Sequence, residues 1–222
     1  MDNTESKGLL YSAFNKDVFE LIPLGIQSVL DVGCGTGTLG NAIKQKFPWA
    51  KTGGITFSAD EAKLAGLVYD RVFVHDLNDL SLDVGNDWDC IIFSHVLEHT
   101  YHPDQVLRHY ATRLSKDGII IIALPNVLFF KQRFEFLKGK FEYSDHGGFM
   151  DNTHFRFFDF NTAQQLPLTS GLQVVNARGQ GFFPLGPLRS WFPSLAKRIN
   201  DRMVAWLPGM FSFQFLIVAK KK

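Results

Sequence analysis

Short apolar runs alternate with amphipathic stretches from the start of the chain to Pro125. The β-branched runs are typical of strands buried on both faces, and the stretches between them have helical spacing. The predicted strands are Val29 to Val32, Lys51 to Phe57, Arg71 to His75, Trp88 to Phe93 and Ile119 to Leu124, with helices predicted at 39–47, 59–68 and 103–114. Such alternation predicts βαβ units and a parallel sheet, whose ligands bind beyond the carboxyl ends of the strands.

After Asn126 the alternation gives way to two aromatic inserts, at 127–160 and 179–209. Further elements are a helix at 11–21 within an N-terminal segment (1–25), helices at 127–137, 161–170 and 194–207, and strands at 172–177 and 211–219. We find no repeat and no composition shift that would divide the chain. We therefore interpret residues 1–222 as one domain with two inserts.

The first predicted strand ends in a turn that contains alternate glycines. Val29-Leu30-Asp31-Val32 stops at Gly33, and Gly35 and Gly37 follow before the next helix. Glycines permit positive φ and a close approach of ligand to backbone, and the helix directs free N–H groups at the same place. Gly35 to Gly40 also match the dinucleotide pattern G-x-G-x-x-G. A carboxylate at Asp31, however, would repel a pyrophosphate and suits the ammonium and sulfonium of S-adenosylmethionine.

Composition limits the class of protein, its partners and its cellular location. The 222 residues are 45% hydrophobic and 20% charged, which is typical of a globular domain. A net charge of +1 gives no electrostatic basis for a nucleic-acid partner. The polar N-terminus and the absence of an apolar run of about 20 residues lead us to expect a cytoplasmic protein. Cys34 and Cys90 are the two cysteines, and we expect both to be buried thiols rather than a disulfide.

Four further stretches carry a resemblance to a known family. They are Trp88 to His99, Leu114 to Asn126, the run D-x-T-H-x-R-F-F at 151–158, and 208–219. With the glycine turn, they make the chain similar to the class I S-adenosylmethionine-dependent methyltransferases, in the branch of methyltransferase types 11, 12 and 23. The resemblance implies an α/β, Rossmann-like, doubly wound sheet of seven mostly parallel strands with the last strand antiparallel. It also implies S-adenosylmethionine as the cofactor.

The resemblance further implies which residues contact the cofactor. These are Asp31, Gly33, Cys34, Gly35 and Gly37 at the methionine end, Thr56 and Phe57 at the ribose, Asp76 and Leu77 at the adenine, and Ser94 and His95 over the cofactor. Thr56 departs from the family, which normally has an Asp or Glu that accepts from both ribose hydroxyls. A neutral hydroxyl cannot make the same bidentate contact, and Asp60 and Glu61 in the next predicted helix are the candidate substitutes.

Methyl transfer to a hydroxyl requires that the acceptor is held in line with the methyl carbon and that a group takes up the hydroxyl proton. His95 and His154 are the candidate catalytic residues, and Arg156, His146 and Asn126 are the candidate contacts to the acceptor. For His154, Asp151 or Asp159 is a candidate orienting group. A latch within the loop is an equal alternative for His154 and the favoured one for Arg156, through an ion pair with Asp159.

The order His95-Val-Leu-Glu98-His99 also invites a metal interpretation. It differs from H-E-x-x-H, and the sequence offers no evident third ligand. We therefore predict no metal site.

These patterns predict a methyltransferase that acts on an oxygen of a small molecule or a saccharide. Two alternatives stay open: a non-catalytic module of the same fold with weak cofactor affinity, and an NAD(P)-dependent oxidoreductase, which Asp31 disfavours. We expect the two inserts to form a lid on the acceptor side. The aromatic and basic residues from Phe182 to Leu207 also fit a homodimer face or a peripheral membrane contact.

Overall fold

A seven-stranded sheet forms the centre of the molecule. The structure is a computed structural model that describes residues 14–145 and 147–222. In these residues the strand order is β3-β2-β1-β4-β5-β7-β6. The strands are β1 (Ser28–Val32), β2 (Lys51–Thr56), β3 (Arg71–Val74), β4 (Trp88–Ser94), β5 (Leu114–Pro125), β6 (Leu172–Gly181) and β7 (Ser212–Lys221). Strands β1 to β5 are parallel and β7 is antiparallel to both of its neighbours, which confirms the topology that the resemblance implied.

Helices cover both faces of this sheet. They are α1 (Lys16–Phe19), α2 (Thr38–Lys46), α3 (Ala59–Ala65), α4 (Pro103–Ala111), α5 (Phe130–Leu137), α6 (Phe160–Thr169), α7 (Leu188–Trp191), α8 (Pro193–Trp206) and α9 (Pro208–Phe211), and a 3₁₀ turn, Leu97–His99, follows β4. Because strand side chains alternate, Val29 packs with α1 and α2 whereas Leu30 packs with α4 and α6. The sheet is therefore doubly wound, with a core on each face.

The register of the parallel strands aligns their carboxyl ends. Val32 at the end of β1 is paired with Ile55 on one side and Phe93 on the other. Ser94 at the end of β4 is paired with Ala123, two residues before the end of β5. The loops that follow β1, β2, β4 and β5 therefore lie along one edge, where the glycine turn also lies.

Several element boundaries differ from the sequence prediction. The helix predicted at 11–21 is the single turn α1, and its first residues lie outside the described part of the chain. Strand β5 begins five residues early, because Leu114 pairs with Trp88 before an irregularity that contains Gly118. Strand β6 extends to Gly181, since β7 supplies a paired neighbour along that length.

The two inserts are mostly helical or irregular. The first consists of α5 and a loop with two isolated bridges, Asn126 with Phe158 and Ser144 with Asp151. The second contains α7, α8 and α9, and it exposes the large side chains of Trp191 and Trp206. None of the helices in the described residues has the length and apolar character that spanning a membrane requires.

Candidate active site

Asp31 is a buried carboxylate beside the glycine turn. It is 2% exposed, and its Oδ2 accepts a hydrogen bond of 2.5 Å from the hydroxyl of Tyr69. Burial raises the pKa of Asp31 to about 6, against the opposing effect of the Tyr69 hydrogen bond. Tyr69 lies over Gly40, where a Cβ would come within 2.3 Å of the tyrosine Cζ. The last glycine of the dinucleotide pattern thus makes room for the tyrosine that holds Asp31.

The glycine turn packs against Val96, the second residue after β4. Gly33 has φ of 83°, and a Cβ at this position would lie 2.6 Å from Val96 Cγ2. The N–H groups of Gly33 and Cys34 both donate to the Ile55 carbonyl at 2.8 Å, which ties the turn to β2. The Cys34 side chain is buried against Ala65 and Tyr69, and burial raises the pKa of its thiol. Only the backbone of Cys34 therefore belongs to the ligand side of the turn.

A carboxylate missing from the end of β2 is supplied by α3. Glu61, in the first turn of α3, is 8% exposed, and its Oε2 accepts a hydrogen bond from the Thr56 hydroxyl. The exposed Asp60 instead pairs with Lys63. Ser58 caps α3 by accepting from the Glu61 N–H at 3.3 Å, and the sequence Ser-x-x-Glu resembles a capping box. Because the Glu61 side chain contacts Thr56 rather than the cap backbone, the acid and the hydroxyl form one polar site.

Three further predicted cofactor contacts lie at the same edge. Phe57 follows β2 and is 78% exposed. Asp76 follows β3, is exposed, and accepts from the backbone and side-chain nitrogens of Asn78 at 2.9 Å. Leu77 is half-buried against the larger core. The edge thus offers an exposed ring and an exposed carboxylate where the family resemblance requires the nucleoside, and their contacts to cofactor stay a prediction.

His95 is held in an unusual backbone conformation at the end of β4. Its φ is 53°, which few residues with a side chain adopt, and such strain concentrates at functional sites. The ring Nε2 lies 2.8 Å from Gln214 Oε1, and Nδ1 lies 3.5 Å from Glu98 Oε1. Burial opposes protonation, but these two acceptors outweigh it and raise the pKa of His95. The raised pKa makes the ring readier to carry a positive charge than a histidine in water, which suits His95 to stabilising negative charge.

Asn15 connects His95 to the cofactor edge. Its side-chain amide donates to Gln214 Oε1 at 2.9 Å and to the hydroxyl of Ser94 at 3.3 Å. The Gln214 oxygen thus accepts from two donors, which fixes it opposite the His95 ring. Ser94 and His95 lie at the end of β4, and their contact with the cofactor stays a prediction.

Glu98, His99 and His154 converge into a cluster that we call the His–Glu cluster. One carboxylate oxygen and one nitrogen of each histidine all lie within 4.8 Å of one another. Glu98 is 1% exposed and its Oε2 has no hydrogen-bond partner among residues 14–145 and 147–222, whereas His99 is half-buried. Burial lowers the pKa of His154, which keeps its ring neutral. The structure thus adds His154, 55 positions after His99, to Glu98 and His99. The sequence pattern did not predict this third member of the cluster.

The D-x-T-H-x-R-F-F run folds back onto the 3₁₀ turn. The N–H groups of Phe155 and Arg156 donate to the Glu98 carbonyl at 2.9 and 3.1 Å. Asp151 Oδ1 accepts from the N–H and hydroxyl of Thr153, and that hydroxyl lies 2.9 Å from His99 Nδ1. Asp151 thus orients His99 rather than His154, which corrects the sequence interpretation.

Two other expectations about this run also differ from the structure. The Arg156 guanidinium donates to the Tyr101 carbonyl at 3.0 and 2.6 Å and forms no ion pair with Asp159. Asp159 instead caps α6 in a capping box with Thr162. Arg156 therefore acts as a latch, with a backbone partner in place of the expected carboxylate.

Asn126 is committed to the fold and not to an acceptor. It is fully buried, its amide donates to the carbonyls of Gly209 and Ser212, and its Oδ1 accepts from the Leu128 N–H. Since every polar atom of the side chain is used by backbone, the structure disfavours a contact between Asn126 and the acceptor, and that contact stays an untested prediction. His146, the other expected contact beside Arg156, lies outside the described residues.

Comparison with known proteins decides the family. A family model described as a methyltransferase domain matches residues 10–176, which is more than half of the chain. The chain belongs to this methyltransferase family. Its cofactor is therefore S-adenosylmethionine, and the buried Asp31 beside a turn of alternate glycines fits the cationic methionine end. No curated protein matches the chain.

Solved structures share the fold of this methyltransferase at low sequence identity. A SAM-dependent methyltransferase from Archaeoglobus fulgidus aligns with a TM-score of 0.61 and 19% identity over 89% of this chain and 87% of its own. One from Mesorhizobium loti gives 0.59 and 16% over 93% and 96%. The [4+2]-cyclase SpnF gives 0.61 and 18% over 93% and 78%. Because a cyclase shares the fold, the fold alone does not fix the reaction.

Proposed function

We propose that this methyltransferase transfers a methyl group to an oxygen atom of a small molecule or a saccharide. The observation that supports an oxygen acceptor is the position of the His–Glu cluster. Val96, which contacts the glycine turn at Gly33, directly precedes the 3₁₀ turn that carries Glu98 and His99. Groups that can bind or deprotonate a hydroxyl thus lie beside the cofactor edge.

Three carboxylates would hold the cofactor in this proposal. Asp31 would pair with the ammonium of the methionine end, and Asp76 would accept from the adenine amino group. Glu61, positioned by Thr56, would accept from the ribose hydroxyls in place of the acid that the end of β2 lacks. When bound, S-adenosylmethionine supplies an electrophilic methyl group on a sulfonium.

The protein must also make the acceptor oxygen nucleophilic. A hydroxyl is a weak nucleophile until its proton leaves, and a neutral imidazole can take up that proton. Burial lowers the pKa of His154 and so favours its neutral form, whereas the two acceptors beside His95 raise the pKa of that ring against the effect of its burial. We therefore assign the proton-handling role to the His–Glu cluster, and to His95 the role of stabilising negative charge next to it.

The two inserts would enclose the acceptor. A groove of about 580 Å³ lies between them, with Leu128, Phe160 and Trp206 among its apolar lining and Arg133 and Asp159 as its charged groups. Volumes of this size are typical of small-molecule sites. Asn126 links this groove to the end of β5 by its hydrogen bond to Gly209. We therefore propose that the groove is the acceptor entrance and that the inserts act as its lid, in preference to a dimer face or a membrane contact.

The test uses cofactor labelled in its methyl group and a panel of acceptors matched in shape. Each set contains a hydroxyl compound with its amine and thiol counterparts, and an amino sugar beside the parent sugar. We expect label in hydroxyl compounds only, with kcat lowered by at least about 100-fold in His154→Asn, because general acid–base groups contribute about 10²–10⁴-fold. His102→Gln, at an exposed histidine outside the cluster, is the control and should leave the rate unchanged. Label found only in amines or thiols would contradict the oxygen assignment.

A further inference from the structure

We propose that Glu98, His99 and His154 bind a divalent transition-metal ion, a site that the sequence pattern did not predict. One oxygen and two nitrogens already lie within 4.8 Å of one another in the protein alone. Three ligands at about 2.0–2.2 Å from a shared tetrahedral ion lie about 3.3–3.6 Å from one another. Side-chain rotations that bring these atoms about 1 Å closer would therefore complete the site.

The Glu98 carboxylate provides independent evidence for a ligand. The residue is 1% exposed, Oε1 lies 3.5 Å from His95 Nδ1, and Oε2 has no hydrogen-bond partner in the described residues. A buried carboxylate oxygen without a donor is unfavourable, since it loses water and gains nothing in return. A cation between Glu98 and the two histidines would supply the missing interaction.

The hydrogen bonds of His99 select the tautomer that a metal ion requires. The Thr153 hydroxyl donates to Asp151 Oδ1 at 2.7 Å, so its oxygen accepts from His99 Nδ1 at 2.9 Å. The Thr153 carbonyl lies 3.2 Å from the same nitrogen and is also an acceptor. With its proton on Nδ1, His99 carries a lone pair on Nε2. A ring nitrogen that donates to an oxygen acceptor in this way is characteristic of metal-bound histidines.

His154 is oriented in the same sense. Its Nδ1 lies 3.4 Å from the Phe149 carbonyl, an acceptor that favours the proton on this nitrogen. Its ring makes an edge contact with the His99 ring at a centroid distance of 4.7 Å. Two histidines, each with Nδ1 beside an oxygen acceptor, and one carboxylate form a two-histidine, one-carboxylate set.

This donor set selects the class of ion. Imidazole ligands suit Zn²⁺, Fe²⁺ and related ions, whereas Mg²⁺ and Ca²⁺ prefer oxygen ligands. Three protein ligands leave coordination positions open, and the half-buried His99 leaves the site reachable from solvent. In the proposed function, on which this consequence rests, the ion would bind the acceptor hydroxyl and lower its pKa. The histidines would then act on the proton as ligands of the ion and not as its direct acceptors, and the proton would pass to solvent. The binding of the ion itself does not depend on methyl transfer.

The test measures metal binding without cofactor or acceptor. Protein treated with a chelator and freed of any histidine tag is titrated with Zn²⁺ in a calorimeter and with Co²⁺ by visible absorption. The variants are Glu98→Gln, His99→Gln and Thr153→Val, with the exposed His102→Gln as the matched control. Thermal unfolding of each variant shows that it is folded. If Glu98→Gln does not fold, the variants His99→Gln and Thr153→Val test the proposal, because His99 is half-buried and Thr153 is its neighbour.

We expect one Zn²⁺ per chain at micromolar concentration or below, and ligand-field bands for Co²⁺. Loss of a ligand in Glu98→Gln or His99→Gln should weaken binding by at least about 100-fold, and Thr153→Val by about 10–100-fold, as for other partners of metal-bound histidines. His102→Gln should bind as wild type does. The proposal is overturned if wild type binds no Zn²⁺ at millimolar concentration, or if Glu98→Gln and His99→Gln bind it unchanged. Zn²⁺ binding in a protein that methylates no hydroxyl would support the metal site and contradict only the proposed function.

Discussion

The hydroxyl of Tyr69 donates a hydrogen bond of 2.5 Å to Asp31 Oδ2, across 38 positions of sequence. Both side chains are buried, and Gly40 has no side chain where the tyrosine ring passes. Within the described residues this contact satisfies a carboxylate that has lost its water. Tyr69 therefore positions the charge that is proposed to bind the ammonium of the cofactor.

Replacing Tyr69 by Phe should lower stability and cofactor affinity together. Removal of the hydroxyl leaves Asp31 without this donor, and an unsatisfied buried group costs about 1–3 kcal/mol. Urea unfolding measures the first effect and calorimetry the second. Tyr143→Phe, at a tyrosine that is 57% exposed, is the control. In an Asp31→Asn background the effect of Tyr69→Phe should shrink, and an undiminished effect would show that the tyrosine acts through packing alone.

The stability of the cofactor-free protein should fall as pH rises through the titration of Asp31. Its pKa is about 6 in the folded protein against an ordinary value of 3.8, so the folded state binds this proton more tightly than the unfolded state does. The resulting stabilisation is complete below about pH 4 and is lost as pH rises past about 6, with a total of about 3 kcal/mol. Chemical unfolding at several pH values measures it.

The same titration has an internal control. Asp31→Asn has no proton to release, so the difference in free energy of unfolding between wild type and this variant isolates the contribution of Asp31. That difference should decline between pH 4 and pH 7. A difference that stays constant over this range would show that Asp31 titrates normally in the folded protein.

Glu61→Gln should weaken cofactor binding by about 10-fold or more. An ionised acceptor gives hydrogen bonds of about 1.5–3 kcal/mol, against about 1 kcal/mol for a neutral one. The loss should vanish for a cofactor analogue that lacks the ribose hydroxyls, because the proposed contact is then absent in both proteins. Asp60→Asn, one residue earlier and exposed, should bind both ligands as wild type does. An equal loss for the two ligands would place Glu61 away from the ribose.

Asn126→Ala should reduce stability and leave acceptor affinity unchanged. The substitution strands two backbone carbonyls and one N–H group that the asparagine now satisfies, which should cost about 2 kcal/mol or more. Unfolding experiments and the acceptor KM of the folded variant measure the two effects. An increased KM in a variant of normal stability would restore the acceptor contact that the structure disfavours.

The sequence alone predicted the parallel strands β1 to β5 and the glycine turn. Both depend on local signals: β-branched runs between helical stretches, and Gly33, Gly35 and Gly37 after Asp31. The reversed direction of β7 came from the family resemblance. Its place between β5 and β6 was not predicted, because periodicity carries no information on strand order. The extension of β6 to Gly181 depends on pairing with β7 and has no local signal.

The polar contacts of the site were harder to predict, because they depend on residues distant in sequence. His154 joins Glu98 and His99 only when the D-x-T-H-x-R-F-F run folds onto the 3₁₀ turn. Glu61 was one of two candidate substitutes for the missing acid, with Asp60, and only the contact with Thr56 distinguishes it. The N-cap at Ser58, which puts Glu61 at the third position of the helix, is the local signal that could have favoured it over Asp60.

The most direct test of this account is a calorimetric titration with S-adenosylmethionine and with S-adenosylhomocysteine, on wild type, Asp31→Asn and the control Asp60→Asn. We expect micromolar binding of both ligands by wild type and by Asp60→Asn. Asp31→Asn should bind at least about 10-fold more weakly, since it loses a hydrogen-bonded charge pair of about 1.5–3 kcal/mol. Absence of binding to folded wild type at millimolar ligand, or equal binding by all three proteins, would contradict the assignment of this edge as the cofactor site.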